Sequence, residues 1–377
     1  MIRNVLRRFY KLLQTSKARV LYVCKGRKIC KEMLDKELIE STWSRPNISC
    51  ISDEILKTEI KKDLSIIIPL YNSEQFLDKC IGTFVKQKTK YTYEVILVDD
   101  GSTDATRTRA EEFQKKYADK IKLIFRENGG ISAARNTGLE NSCGRYIGFA
   151  DHDDWVTTDY VEKLLSAAYS EDADIVKCEF LEVRDRNTVA TAKKDDKIIN
   201  GPLKEELFAY KSYIWGGVYK RKLFERVRFP VGFWYEDMIT RALLYRQSDK
   251  FIALGETLYY KLQHKNNASN VVWQKQNPKC LEQLYLPEQL ASDGCCLNLP
   301  RDVYMYECLL HEYSSILKHR IDHMPDKIQK QVFLYARSVL MKNYKGEFQY
   351  EMDDKWKKWN NVFVEKRYDA WRALCDL

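Results

Sequence analysis

The amino-acid sequence predicts an α/β fold with a doubly wound, mostly parallel sheet and a helical C-terminal region. Two observations carry this prediction. Short apolar runs alternate with amphipathic segments from residue 64 to residue 180, as strands alternate with helices in βαβ units. Beyond Tyr260 the strand-like runs fade, and residues 280–377 are rich in charged and aromatic side chains, a pattern typical of packed helices.

The elements follow in order along the chain. The predicted strands are 64–69, 94–98, 122–125, 146–150 and 175–180. The predicted helices are 73–87, 105–118, 132–141 and 160–169. The first helix carries an apolar stripe of Phe76, Leu77, Cys80, Ile81, Phe84 and Val85. We therefore expect an N-terminal extension and connector over 1–62, a sheet domain over 63–270 and a helical region over 271–377.

Positive charge is concentrated at the N-terminus. The 377-residue chain has a formal net charge of +9, and residues 1–31 contain ten Lys or Arg and no Asp or Glu. The other residues hold 53 basic and 54 acidic side chains, so the body of the protein is close to neutral. This distribution argues against a nucleic-acid binder, which would carry a basic face across its fold.

The N-terminal segment is also amphipathic at helical spacing, with its apolar and basic side chains on opposite arcs. The pattern predicts a helix that lies in the interface of an anionic membrane, and a helix docked on the protein's own surface is the alternative. No apolar run approaches the roughly 20 residues that span a bilayer. Eleven cysteines without CxxC spacing predict reduced thiols. We expect a cytoplasmic protein, peripheral on the inner face of the cell membrane.

Polar side chains follow three of the predicted strands at the point where each strand ends. These side chains are Tyr71, Asn72, Asp99, Asp100, Asp151, His152, Asp153 and Asp154. Each group taken alone is well explained as a turn or a helix cap. In an open parallel sheet, however, ligands bind beyond the carboxyl ends of the strands. Three such groups at successive strand ends therefore predict one binding site.

The third group predicts a metal site. Residues two apart in an extended chain point to the same side, so Asp151 and Asp153 should converge, with Asp154 beside them. Like charges this close raise each other's pKa unless a cation is present. Carboxylate oxygens are the ligands that Mg²⁺ and Mn²⁺ prefer. The alternative is a solvated acidic loop in which Asp154 caps the next helix.

Four motifs together resemble the family 2 glycosyltransferases. In chain order they are LSIIIPLYN at 64–72, VDDGSTD at 98–104, ENGGISAARNTG at 127–138 and FADHDDW at 149–155. The resemblance is dense over 64–160 and thinner to residue 270. It implies a GT-A type fold, with a nucleotide-sugar-binding half at 63–160 and an acceptor half at 161–270. It also implies an inverting, metal-dependent, hexosyl-type glycosyltransferase of bacterial cell-surface polysaccharide synthesis.

The resemblance assigns roles to residues by position. Donor contacts, to a nucleotide-diphosphate sugar that is usually UDP-linked, fall on Pro69, Tyr71, Asn72, Asp99, Asp100, Arg135, Asn136, Asp151 and His152. Asp100, with Asp99, would hold the base. Asp151 and Asp153 match the DxD motif that holds Mn²⁺ or Mg²⁺, and Asp154 joins them as a metal ligand. For Arg135 and Asn136, packing at the start of a helix is an equal alternative.

The resemblance also places a catalytic carboxylate downstream, where WYEDM at 234–238 fits. Asp237 would remove the proton from an acceptor hydroxyl of a glycan or a lipid-linked glycan. The aromatic residues before Asp237 would desolvate it and raise its pKa. One departure is Gly217, at a position where relatives often carry a lysine. His264 is predicted to be a surface-loop histidine, with a lid over the site as the alternative.

Two other functions compete with glycosyl transfer. A non-catalytic nucleotide-sugar-binding or scaffold protein could keep the same pocket, although retention of both the aspartate triplet and Asp237 argues against it. A nucleotidyltransferase on a related fold would be expected to have a glycine-rich, basic loop after its first strand. Residues 71–74, with the sequence YNSE, do not fit that loop.

Overall fold

The computed structural model describes residues 30–45, 48–184, 194–201, 208–265, 267, 277–344, 348 and 351–373, without the side chains of Ser315 and Asn343. Residues 1–29, which carry most of the predicted amphipathic helix, lie outside the described residues. The structure divides into two compact units. One is 48–267 and contains the sheet, and the other consists of the described parts of 1–47 and 268–377.

The strands, in chain order, are β1 (Lys62–Leu70), β2 (Tyr93–Asp99), β3 (Ile121–Phe125), β4 (Gly144–Phe149), β5 (Trp155–Val156), β6 (Ile175–Val183), β7 (Lys197–Asn200), β8 (Gly217–Lys220) and β9 (Lys250–Leu262). The helices are α1 (Lys36–Thr42), α2 (Leu77–Val85), α3 (Thr106–Lys116), α4 (Ile131–Glu140), α5 (Tyr160–Ser170), α6 (Tyr245–Gln247), α7 (Glu282–Cys296), α8 (Val303–His311), α9 (Leu317–Ile321), α10 (Asp326–Tyr344), α11 (Asp354–Val364) and α12 (Tyr368–Ala373). A π-helical turn, Thr240–Leu244, precedes α6.

The sheet is mostly parallel, as predicted. Within the described ranges its order is β3-β2-β1-β4-β8-β6-β9-β5, and β7 pairs with β9. β1 runs parallel to β2 and β4, β2 to β3, and β6 to β9. β8 is antiparallel to both β4 and β6. This strand therefore joins two parallel groups into one sheet and brings β9 into the same layer as the first four strands.

Helices cover β1 well enough that both faces of the strand are buried. Residues 64–70 are buried without interruption, as expected for a central strand of a parallel sheet. On α2, Leu77, Cys80, Ile81, Phe84 and Val85 are buried, so five of the six predicted stripe residues lie in the core. The apolar periodicity of the sequence thus identified both the strand and the face of the helix that packs on the sheet.

The register of the parallel strands sets the position of the polar strand ends. Leu70 of β1 lies opposite Asp99 of β2, and Ile67 lies opposite Phe149 of β4. The Ala150 N–H then donates to the Ile67 carbonyl at 3.1 Å. The chain therefore leaves all three strands at the same edge of the sheet, and this edge is where the predicted site residues occur.

The second unit is helical in its described part, as the sequence predicted for 280–377. The large aromatic side chains of this unit fill its core, including Trp356, Trp359, Tyr368 and Trp371. Trp371 Nε1 donates to the Tyr313 carbonyl at 2.9 Å, and the Tyr306 hydroxyl donates to Asn360 Oδ1 at 2.6 Å. The polar ends of these rings are thereby paired inside the core. None of the described helices combines the length and apolar character that crossing a bilayer requires.

Candidate active site

Three aspartates converge just beyond the carboxyl end of β4. One carboxylate oxygen from each of Asp151, Asp153 and Asp154 lies within 4.8 Å of the others. The route to this convergence differs from the prediction. Residues 151–154 form a turn closed by the Asp154 N–H donating to the Asp151 carbonyl at 3.2 Å, not an extended chain. The turn gathers three carboxylates where an extended strand would have gathered only two.

Asp154 lies beneath this turn and is 1% exposed. Its carboxylate accepts hydrogen bonds from the Tyr259 hydroxyl at 2.7 Å and from the Leu262 N–H at 2.9 Å. The solvated-loop alternative is therefore wrong, and α5 begins after Asp159 rather than after Asp154. Burial raises the pKa of Asp154 well above its usual range, and the charges of Asp151 and Asp153 raise it further.

Asp151 and Asp153 are more accessible than Asp154. Burial also raises the pKa of Asp151, and Asp153 adds to that rise, whereas the positive charge of Arg135 opposes it. Clustered, partly buried carboxylates are the donor set that a hard divalent cation fits. Asp151 and Asp153 would hold such a cation from the more accessible side of the group, with the buried Asp154 as the third carboxylate.

The prediction that His264 is a surface-loop histidine is wrong. Its Nε2 lies 2.9 Å from Asp153 Oδ2, and its ring stacks on Phe76 at a centroid distance of 5.0 Å. Asn267 Nδ2 donates to the same Asp153 oxygen at 3.1 Å. His264 is therefore part of the aspartate site rather than a surface-loop residue. The ring of His152 lies 6.0 Å from Phe76 on the same side of the site.

The ends of β1 and β2 are tied to each other by hydrogen bonds. Pro69 is buried within β1, and Tyr71 directly after the strand is 47% exposed. Asn72 has a φ of 46°, and its Oδ1 accepts from the Thr103 N–H at 2.8 Å. Asp99 Oδ1 accepts from the Ser102 N–H at 3.1 Å. Asn72 and Asp99 thus shape the loop, and Tyr71 offers an exposed ring beside it.

Asp100 is held by the loop that precedes α4. Its carboxylate pairs with Arg126 and accepts from the Gly129 and Gly130 N–H groups, the latter at 2.7 Å. Gly101, with a φ of +74°, lies so close to this loop that a Cβ would come within 2.9 Å of the Asn128 nitrogen. Asp100 therefore holds the loop before α4 in place, and its predicted role in holding the base stays a prediction.

Arg135 and Asn136, adjacent on α4, are both engaged with other parts of the protein. Arg135 Nη2 donates to Asp151 Oδ1 at 2.9 Å, and Nη1 donates to Glu236 Oε1 at 2.6 Å. Asn136 donates to the Phe229 carbonyl at 2.9 Å and accepts from its N–H at 2.8 Å. The packing alternative thus describes Asn136 well. Arg135 links two groups of carboxylates.

Asp237 follows Glu236 in a turn that leads into the π-helical turn at Thr240. The Thr240 N–H donates to the Asp237 carbonyl at 3.0 Å, and Tyr235 adopts a left-handed φ of 67°. The neighbouring Glu236 shares Arg135 with Asp151. Burial lowers the pKa of Arg135, but the charges of Glu236, Asp151 and Asp237 together raise it. The structure therefore brings Asp237 near the aspartate turn, although the two are more than 80 residues apart in the sequence.

The space beside Gly217 is occupied by the neighbouring strand β6. A Cβ at Gly217 would come within 2.6 Å of the Lys177 Cδ and within 2.5 Å of the Val176 carbonyl oxygen. The Lys177 ammonium donates to the carbonyls of Tyr213 and Trp215 and to the Tyr219 hydroxyl. Lys177 on β6 therefore fills the space that a side chain at 217 would need.

Comparisons with known proteins identify the family of this chain and support its fold. The sequence model of Glycosyl transferase family 2 matches residues 65–233. GlyA, a glycosyltransferase of Streptococcus pneumoniae, is 34% identical over 56% of this chain, but the match spans only 32% of GlyA. EpsJ of Bacillus subtilis, an uncharacterized glycosyltransferase, is 32% identical over 59% of this chain and 67% of its own length.

A solved structure supports the fold. Residues 1–349 of TarS from Staphylococcus aureus, crystallised with UDP, match with a TM-score of 0.55 at 18% identity, over 82% of this chain and 89% of that one. The fold is that of the GT-A type glycosyltransferases. The chain belongs to glycosyltransferase family 2.

Proposed function

We propose that this protein transfers a sugar from a UDP-sugar to a hydroxyl of a glycan or lipid-linked acceptor in bacterial cell-surface polysaccharide synthesis. The observation that carries the proposal is the meeting of two carboxylate groups at the sheet edge. Arg135 contacts Asp151 on one side and Glu236, the neighbour of Asp237, on the other. A donor site and a general base are needed within one cleft for glycosyl transfer.

The donor is assigned to the half of the sheet domain at 63–160. Tyr71 offers an exposed ring for the base, and the loop held by Asp100 forms the adjoining wall. TarS, which shares the fold, binds UDP, and this supports a uridine nucleotide as the donor here. The acceptor is assigned to the half at 161–270, which carries Asp237.

A divalent cation, Mn²⁺ or Mg²⁺, is assigned to Asp151 and Asp153, with Asp154 as the third carboxylate. When bound, such a cation offsets the negative charge that develops on the departing diphosphate. His264 and Asn267 hold Asp153 Oδ2 in place. The Cys80 thiol donates to the Asp151 carbonyl at 3.6 Å. Burial raises the pKa of this thiol, which therefore stays protonated.

The proposed reaction inverts the configuration at the anomeric carbon. Asp237 accepts the proton of the acceptor hydroxyl, and the oxygen attacks the anomeric carbon from the face opposite the nucleotide. The new C–O bond forms as the bond to the diphosphate oxygen breaks, and the nucleoside diphosphate leaves with the electron pair. Arg135, whose pKa is raised by Glu236 and Asp151 against the opposing effect of burial, stays charged throughout.

The test is donor hydrolysis and transfer by the purified full chain across a panel of UDP-sugars with Mn²⁺. We expect turnover of at least one donor, its loss on chelation with EDTA, and its recovery when Mn²⁺ is restored. Asp153→Ala and Asp237→Asn should each lose at least about 100-fold in turnover. Asp53→Asn, which changes a fully exposed aspartate, is the matched control. Undiminished turnover in either site variant would contradict the role proposed for the substituted residue.

A further inference from the structure

One buried arginine connects the two loops that carry the proposed chemistry. Arg135 is 2% exposed, and its two terminal nitrogens contact carboxylates from separate segments, Asp151 after β4 and Glu236 before the π-helical turn. The planar guanidinium fork suits such a double contact because its two nitrogens point in fixed directions. The resemblance to the family assigned Arg135 to the donor, but both of these nitrogens donate to protein carboxylates.

The neighbouring residue strengthens this connection. Asn136 makes two hydrogen bonds to the backbone of Phe229, and the Arg135 guanidinium lies 5.3 Å from the centre of the Phe229 ring. The segment from Phe229 to Asp237 is thus attached to α4 at both of its ends. Arg135 is therefore a direct side-chain link between Glu236 and Asp151.

We propose that Arg135 is a positioning residue that couples the cation site at Asp151 to the Glu236–Asp237 segment. The inference rests on the proposed function, because it takes Asp151 as a cation ligand and Asp237 as the base. A cation at Asp151 and the guanidinium compete for the same carboxylate. Glu236 takes up part of the charge of Arg135, so that Asp151 stays available to the cation. In return, cation binding transfers Arg135 towards Glu236 and fixes the position of the base beside it.

This coupling predicts effects of opposite sign in two variants. Glu236→Gln removes the carboxylate that shares Arg135, so the guanidinium pairs more fully with Asp151 and the cation binds less tightly. Arg135→Gln removes the competing positive charge, so the cation binds more tightly. A charge of this kind, partly buried and within two contacts of the cation, changes the affinity by about tenfold. A loss of folding would not produce an increase in affinity.

The experiment measures Mn²⁺ binding by electron paramagnetic resonance on the full chain at pH 8, without a sugar donor. We expect the Kd to rise about tenfold in Glu236→Gln and to fall about tenfold in Arg135→Gln. In the double variant, Glu236→Gln should have no further effect, because its action passes through Arg135. If Arg135→Gln does not fold, Arg135→Lys replaces it, since a single ammonium cannot reach both carboxylates. The effect of Glu236→Gln should then fall by at least half.

Arg221→Gln serves as the control for loss of a buried arginine, because Arg221 donates to Ser142 and Thr58 and contacts neither loop of the site. Its Mn²⁺ affinity should equal that of the wild type. Additive effects in the double variant, or a weakened affinity in both single variants, would overturn the coupling. If the wild-type chain binds no Mn²⁺ in a manner that depends on Asp153, the proposed metal site itself fails, which is a different result.

The Arg135→Gln variant also distinguishes a positioning role of Arg135 from direct contact with the sugar donor. In a transfer assay at saturating Mn²⁺, Arg135→Gln should lower kcat by at least about tenfold and leave the KM for the donor within about threefold. A residue that contacts the donor would instead raise KM. A change confined to KM would therefore return Arg135 to the role that the family resemblance implied.

Discussion

Asp154 is the most enclosed of the three aspartates, and its burial is tolerated because two donors reach it. The Tyr259 hydroxyl donates to Asp154 Oδ2 and accepts from the Asp151 N–H at 3.2 Å. Burial, with the charges of Asp154 and Asp151, raises the pKa of Tyr259 well above its usual range. Tyr259 therefore stays protonated and remains a donor at any working pH. One hydroxyl holds both ends of the aspartate turn.

Removing that hydroxyl should destabilise the sheet domain. Tyr259→Phe leaves a buried carboxylate oxygen and a backbone N–H without their partner, which costs about 1–3 kcal/mol in free energy of unfolding. Urea denaturation followed by tryptophan fluorescence measures the change. The control is Tyr260→Phe, which keeps the ring stack on Trp155 and should change stability by less than about 0.5 kcal/mol. Equal stability of the Tyr259→Phe variant and the wild type would show that the hydroxyl is dispensable.

The fit between Gly217 and Lys177 makes a second prediction. Gly217→Ala would place a methyl group 2.5 Å from a backbone oxygen and 2.6 Å from the lysine stem. Such overpacking costs about 1–3 kcal/mol and lowers the thermal midpoint. Gly148→Ala on the neighbouring strand is the control, because its Cβ would meet no atom closer than 3.5 Å. A Gly217→Ala midpoint as high as that of Gly148→Ala would contradict the fit.

At the level of elements, α4 does more than cover the sheet. It begins after Gly130, which has a φ of 85°, and the N–H groups of Gly129 and Gly130 bind Asp100. Further along, Arg135 and Asn136 reach Asp151, Glu236 and Phe229. This helix and the loop before it thus contact the end of β2, the end of β4 and the segment before Asp237.

In the helical unit, α8 carries a glutamate with an altered pKa. Burial raises the pKa of Glu307 to about 7, and the charges of Asp353 and Asp302 add to the rise, although a hydrogen bond from the Asp353 backbone opposes it. The folded state therefore binds this proton more tightly than the unfolded state does. The resulting stabilisation is complete below the unfolded-state pKa and is lost as pH rises through about 7.

Glu307→Gln should abolish this pH dependence. At pH 5 or below the variant and the wild type should be close in stability, because the wild-type carboxyl is protonated. At pH 8 the variant should be more stable by about 1–3 kcal/mol, because the wild type must ionise a buried carboxyl. Scanning calorimetry of the full chain at both pH values measures the difference. Glu365→Gln, at a 42% exposed side chain, should show no such divergence. A constant difference between variant and wild type would contradict the assignment.

At the scale of the whole molecule, charge is distributed very unevenly. A net charge of +10 in residues 1–31 accompanies a nearly neutral remainder. We expect deletion of 1–31 to move the protein from anionic vesicles into solution, because attraction to anionic lipid contributes about 1 kcal/mol per basic residue near the surface. Vesicle sedimentation at low and physiological salt measures this. Turnover of the donor in solution should stay unchanged. Vesicle binding that survives the deletion would contradict a membrane-binding role for residues 1–31.

Local patterns predicted most of the sheet domain. Apolar runs located β1, β2, β3 and β4 to within two residues at each end. In β1, β2 and β4 the cause is burial on both faces, which leaves a nearly unbroken hydrophobic signal. The apolar stripe of α2 was predicted equally well. The irregular strands in the second half of the sheet domain were harder to predict from the sequence. β9 spans 13 residues and pairs with three partners, and its pattern mixes buried and half-buried positions without a simple period.

The sequence by itself determined the order of β1 to β4 and of α2 to α5, the strand-end aspartates and the place of Glu236 and Asp237, because periodicity and motif spacing are local properties. Only the tertiary structure decided which side chains hold these carboxylates. Tyr259 and His264 lie 105 and 111 residues from their aspartate partners. They reach the site because β8 inserts beside β4 and brings β6 and β9 into the same sheet. Strand order is set by long-range packing, and no local pattern in this chain encodes it.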